Sequence, residues 1–119
     1  MCGLIGYSGN FQEINLKAGL LELNHRGPDD SGIFLDETAG IGLGHNRLAI
    51  QDISSLGHQP MISDDGTVAL VFNGEIYNFK DLRKELVAKG YKFKGNSDTE
   101  VILNLYLEEG EFMLEKLNG

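Results

Sequence analysis

Apolar residues recur along this chain with two periods, and the switches between them predict most of its elements. Cys2 to Tyr7 mixes Leu4, Ile5 and Tyr7 with Gly3 and Gly6 before Ser8-Gly9-Asn10, which predicts a short strand running into a turn. Ile14 to Leu23 places Leu16, Leu20 and Leu23 on one helical face suited to packing on that strand. A polar turn follows over His25-Arg26-Gly27-Pro28-Asp29-Asp30-Ser31-Gly32, since Pro28 cannot continue the helix. Ile33 to Leu35 and Ile41 to Leu43 read as strands and Ser54 to Pro60 as a loop. The continuous apolar run Val68 to Phe72 predicts a strand buried on both faces.

The second half is more helical. Asn78 reads as the N-cap of a helix with the face Phe79, Leu82, Leu86 and Val87, closed by Gly90. Tyr91 and Phe93 alternate with Lys92 and Lys94, the pattern of a strand. Ser97-Asp98-Thr99-Glu100 matches a capping box ahead of Val101, Ile102 and Leu105, and Gly110 ends that helix. Strands and helices are interspersed without a regular βαβ rhythm, so the fold class is α+β with antiparallel pairing, in one domain.

Composition narrows the partners. The 119 residues are 41% apolar and 24% charged, ordinary for a globular protein. A net charge of −8 with scattered lysines offers no basic stripe for nucleic acid. No apolar run approaches the roughly 18 residues of a membrane span, and Met1 to Gly9 lacks the pattern of a signal peptide, so a cytoplasmic protein is expected. Cys2 forms no zinc-ligand spacing with His25, His45 and His58, and no metal site is expected.

Cys2 is the single cysteine and directly follows Met1. Removal of Met1 would put a thiol and an α-amine on one residue. Such groups ordinarily titrate within about one unit of each other, so transferring the proton between them costs only about 1 kcal/mol. The terminus could then serve as the base that activates its own nucleophile. A small buried hydrophobe is the alternative, and position alone favours it.

Four further features bear on chemistry. Asn73-Gly74 ends an apolar run and offers an amide and an approachable N–H, the parts of an oxyanion hole, although Asn-Gly is also the strongest hairpin signal. Arg47 lies among Asn46, Leu48, Ala49 and Ile50, a setting that suits recognition of a carboxylate or a surface ion pair. Asp98, in the first turn of its helix, either caps it or holds an ammonium group. The paired acids of His25 to Asp30 read as structural, and Gly40, Gly42 and Gly44 give only a weak likeness to a phosphate loop.

Taken in order, Met1-Cys2-Gly3-Leu4-Ile5-Gly6, His25 to Asp30, Leu43-Gly44-His45 through Arg47-Leu48, Gly57-His58-Gln59-Pro60-Met61, Asn73 to Asn78 and Ser97 to Glu100 resemble the glutaminase domain of the glutamine-hydrolysing asparagine synthetases. These form one branch of the class II glutamine amidotransferases, and the resemblance covers essentially all of residues 1–119. It implies an N-terminal nucleophile hydrolase with a four-layer αββα sandwich, here incomplete at its C-terminal end. Cys2 would attack the glutamine side-chain amide, and Asn73 and Gly74 would hold the oxyanion. The substrate would be bound by Arg47 at its α-carboxylate and by Asp98 and the Glu75 backbone at its α-ammonium, with Leu48 and Ile50 beside it.

The resemblance further implies that the ammonia reaches a synthetase domain or chain, absent here, in which ATP and magnesium activate aspartate. No cofactor is implied for residues 1–119 themselves. A homo-oligomer stays open, as do three other functions: a noncatalytic assembly module, an amidotransferase with a different acceptor, and a cysteine hydrolase using a histidine base.

Overall fold

A computed structural model describes residues 1–10, 12–49 and 54–119. Its elements are β1 (Gly3–Ser8), α1 (Glu13–Glu22), β2 (Asp30–Asp36), β3 (Ile41–Arg47), β4 (Met61–Ile62), β5 (Ala69–Leu70), α2 (Phe79–Ala88) and α3 (Asp98–Glu109). Single 3₁₀ segments cover Ser55–Gly57 and Gly110–Lys116. The mixture is α+β. The pairing is antiparallel throughout, with β3 between β1 and β2 and a separate β4–β5 pair.

The first sheet aligns the site. Its central strand β3 does not stop at Leu43 but continues to Arg47, because Gly3 pairs with Asn46 on one side and Asp30 with Arg47 on the other. The glycines of this strand make no phosphate loop. Tyr7 lies across Gly42, its partner in register, and Leu20 and Ile5 crowd the position where Gly44 would carry a Cβ. Helix α1 can therefore sit close on the sheet, with Leu16 and Leu20 buried beneath it. Asn46, buried at the end of β3, donates to the Leu20 carbonyl at 2.6 Å and ties sheet to helix.

Most of the apolar core lies in the other half. Ile76, Leu82, Leu86, Val101, Ile102 and Leu105 form one buried cluster between α2 and α3. The capping serine holds: Ser97 Oγ accepts from the Glu100 N–H at 3.2 Å. Gly90 ends α2 with a φ of 98°, a conformation that a side chain would strain.

Several sequence expectations give way here. Only Ala69–Leu70 of the run Val68 to Phe72 is strand, and the whole run is half-buried, because β4 offers it just two paired residues. Tyr91 and Phe93 form no strand. They pack as irregular chain against the α2–α3 core, with the Arg83 guanidinium over the Phe93 ring at 4.3 Å. Asn78 stands at the N-cap of α2 without capping it: its side chain donates to Lys116 O and accepts from Asn118 N, securing the end of the chain instead. Val87 faces solvent rather than the core.

Candidate active site

Cys2 is half-buried at the start of β1. The Leu48 N–H donates to its sulfur at 3.3 Å, and the thiol faces Leu48 O at 3.7 Å, so both backbone groups of the residue after β3 hold Sγ. Arg26 Nε donates to the Cys2 carbonyl at 3.2 Å. The His25 to Asp30 turn thus has a structural use. Asp29 brackets the end of β3, its N–H donating to Arg47 O at 3.0 Å and its carboxylate accepting from Ala49 N at 2.8 Å. Asp30 pairs with His58 at 2.6 Å.

Arg47 closes β3 and is 8% exposed, which is deep for a guanidinium. Its Nη1 donates to Ser54 O at 2.8 Å. The group lies flush on Gly57, where any Cβ would collide with Nη2. The fixed side chain still borders the cavity that Cys2 borders.

Asn73 and Gly74 are exposed and do not form the hairpin turn that their dipeptide suggests. A type I′ turn needs positive φ at both central residues, and neither has it. They belong instead to an irregular segment that follows β5. Across from them, Asp98 begins α3. Although Ser97 already caps that helix, the Asp98 carboxylate is buried and accepts from the Ile76 N–H at 3.0 Å.

Cys2, Arg47, Asn73, Gly74 and Asp98 meet at one cavity of about 320 Å³, bordered also by Met1, Leu48, Gly57, Gln59, Phe72, Glu75, Ser97 and Thr99. Seven of the eight residues singled out from sequence are among them; Ile50 lies outside the described residues. The lining combines a thiol, a guanidinium, two amides and two carboxylates, complementary to a zwitterionic amino acid. None of the three histidines borders it: His25 contacts Glu22 O, His58 contacts Asp30, and His45 is fully buried against Phe72 O. The cavity that Cys2 borders is therefore lined by no histidine.

Residues 1–119 match the family model described as the glutamine amidotransferase domain. This chain belongs to the glutamine amidotransferase family. Relatives similar to it include asparagine synthetase [glutamine-hydrolyzing] 1 of Bacillus subtilis (strain 168), 43% identical over all of this chain and 20% of the relative. Asparagine synthetase [glutamine-hydrolyzing] of Sandersonia aurantiaca is 44% identical over all of this chain and 23% of the relative. A probable asparagine synthetase of Dictyostelium discoideum is 41% identical over all of this chain and 22% of the relative. The chain spans about a fifth of the length of these curated relatives.

Sequence reasoning about this glutamine amidotransferase domain missed several residues that build the site. Gly57 gives Arg47 its bed, Arg26 holds the Cys2 carbonyl, and Gln59, Phe72 and Thr99 border the cavity. Gln59 and Gly57 belong to a motif already noted for the resemblance, which was the only signal that they matter. Their contacts, to the Arg47 guanidinium, the Phe72 N–H and the Thr99 hydroxyl, join residues 10 to 40 positions apart, so spacing alone carries no trace of them.

Proposed function

We propose that this domain hydrolyses the side-chain amide of glutamine to glutamate and ammonia. The observation that carries the reading is the convergence of Cys2, Arg47, Asn73, Gly74 and Asp98 on one cavity, from four separate stretches of chain. At about 320 Å³ the cavity is at the lower end of the usual range for ligand sites, about 300 to 1,000 Å³, and suits one free amino acid.

The α-amine of Cys2 becomes free once Met1 is removed, and it takes the thiol proton as Sγ attacks the amide carbon. The oxyanion is held by the Asn73 side-chain amide and the Gly74 N–H; one such donor contributes about 2.7 to 4 kcal/mol to the transition state. The protonated amine gives its proton to the leaving nitrogen, and ammonia departs from a γ-glutamyl thioester. Water, deprotonated by the same amine, cleaves the thioester to glutamate and restores the thiol. Arg47 binds the α-carboxylate, Asp98 with the Glu75 backbone binds the α-ammonium, and Leu48 and Ile50 flank the substrate.

The finer fold is the αββα sandwich of N-terminal nucleophile hydrolases, of which residues 1–119 supply part. The ammonia serves ATP- and magnesium-dependent asparagine synthesis from aspartate, in a synthetase domain or chain outside these residues. The names of the relatives support that destination. ATP and magnesium are assigned to no residue of this chain.

The test is glutamate release from glutamine by the natural full-length protein, beside Cys2→Ala and a form with an acetylated terminus. Activity in the parent alone is the expected result. Turnover that survives acetylation contradicts the terminal amine as base.

A further inference from the structure

We infer that His45 and Gln59 are positioning residues of this site, clamping the peptide groups on both sides of Phe72 so that Asn73 and Gly74 stay where the oxyanion forms. The inference rests on the glutaminase reading above. Its physical basis is that the sheet does not hold this segment: β5 ends at Leu70, and Phe72, Asn73 and Gly74 belong to no regular element. Two buried side chains do the holding instead. The Phe72 N–H donates to Gln59 Oε1 at 2.6 Å, and the Phe72 carbonyl accepts from His45 Nε2 at 3.2 Å.

That carbonyl shares a planar peptide with the Asn73 N–H, so fixing it fixes the plane from which Asn73 and Gly74 project. Only the dihedrals at Asn73 itself then remain soft before the Gly74 N–H. The clamp is in turn anchored to the first sheet. His45 is a residue of β3, and opposite it in register stands Gly32, where a Cβ would run into the Gln59 carbonyl. Gln59 therefore sits with its backbone directly on the sheet.

The far end of the Gln59 amide reaches the other side of the cavity, where Nε2 donates to Thr99 Oγ1 at 3.3 Å. Thr99 follows Asp98 in α3, so one buried amide spaces the oxyanion segment against the ammonium-binding carboxylate. Packing does not explain these residue choices. His45 is 0% exposed, and its Nδ1 has no partner among the described residues. An aliphatic side chain would fill the volume without stranding a polar atom, and the stranded nitrogen is accounted for by what Nε2 does.

Steady-state glutamate release by the natural full-length protein tests the clamp in Gln59→Met, His45→Leu, His45→Gln and Thr99→Val, with parent and Cys2→Ala as references. Gln59→Met and His45→Leu are expected to lower kcat about 100-fold, the usual cost of a displacement of about 1 Å, while KM for glutamine stays within about twofold. A glutamine amide reaches the position of Nε2, so His45→Gln should recover about tenfold of that loss. Thr99→Val keeps both Phe72 bonds and, as a small change, secures the test if a larger one does not fold; it should lower kcat about threefold with KM unchanged.

A folded Gln59→Met or His45→Leu with parental kcat overturns the clamp, as does a His45→Gln no better than His45→Leu, or a Thr99→Val with parental kcat. In each of these cases an active parent and inactive Cys2→Ala leave the glutaminase reading standing. A parent that releases no glutamate overturns that reading and the clamp together.

Discussion

Arg47 and Gly57 share a volume that only one of them can fill with a side chain. A Cβ on Gly57 would meet the guanidinium at Nη2 and Cζ, and the bond from Nη1 to Ser54 O leaves little freedom to yield. Gly57→Ala is therefore expected to turn the guanidinium away from the substrate carboxylate. Charge-assisted hydrogen bonds contribute about 1.5 to 3 kcal/mol, so KM for glutamine should rise at least about tenfold with kcat little changed. Kinetics with an unaltered KM would remove Arg47 from substrate binding.

His45 makes a second prediction at this scale. Burial, reinforced by Arg47, pushes its imidazole below the ordinary 6.5, against the opposing pull of the Phe72 carbonyl and Asp30; His58 also disfavours the charge. Above about pH 6.5 the ring is neutral both folded and unfolded and contributes no slope. Below it the unfolded chain binds the proton first. Stability should thus fall as pH drops from about 6.5 towards the folded value, by up to about 1.4 kcal/mol per unit. His45→Gln should flatten that part of the profile in urea titrations at successive pH values, and an unchanged slope would contradict the burial of a neutral ring.

At the scale of elements, the helices were legible because their signals are local. Ser97, Gly90 and Gly110 act within a few residues of themselves, and each stands where the sequence indicates. Ser97→Ala should cost about 1 kcal/mol, read as a lower urea midpoint at constant slope, since the Glu100 N–H loses its acceptor in a buried helix start. Strands were less legible. Tyr91 and Phe93 alternate like a strand, but nothing in the alternation says whether another strand stands beside it, and here α2 and α3 take up the rings. The Asn73-Gly74 hairpin failed similarly: tertiary bonds hold the neighbouring Phe72, and neither residue takes the positive φ of the turn that the dipeptide alone favours.

For the whole molecule, the site is built where two packing units face each other. The sheet with α1 supplies Cys2 and Arg47, and the half containing the α2–α3 core supplies Asn73, Gly74 and Asp98. The residues that meet at the cavity were legible through the ordered motifs of the resemblance, since Cys2, Asn73-Gly74, Arg47 and Asp98 each had a structural reading when taken locally. Those that join the two units were not, since Gln59 and His45 act on a backbone 13 and 27 positions away.

The central claim is that Cys2, with its own amine free, forms a thioester with the glutamine side chain. Intact-mass and fragment analysis of the purified full-length protein, acid-quenched during turnover of glutamine, tests it most directly. The species expected is a chain lacking Met1 that carries a γ-glutamyl group on Cys2. Turnover by a chain that retains Met1, or a γ-glutamyl group on any other residue, would contradict it.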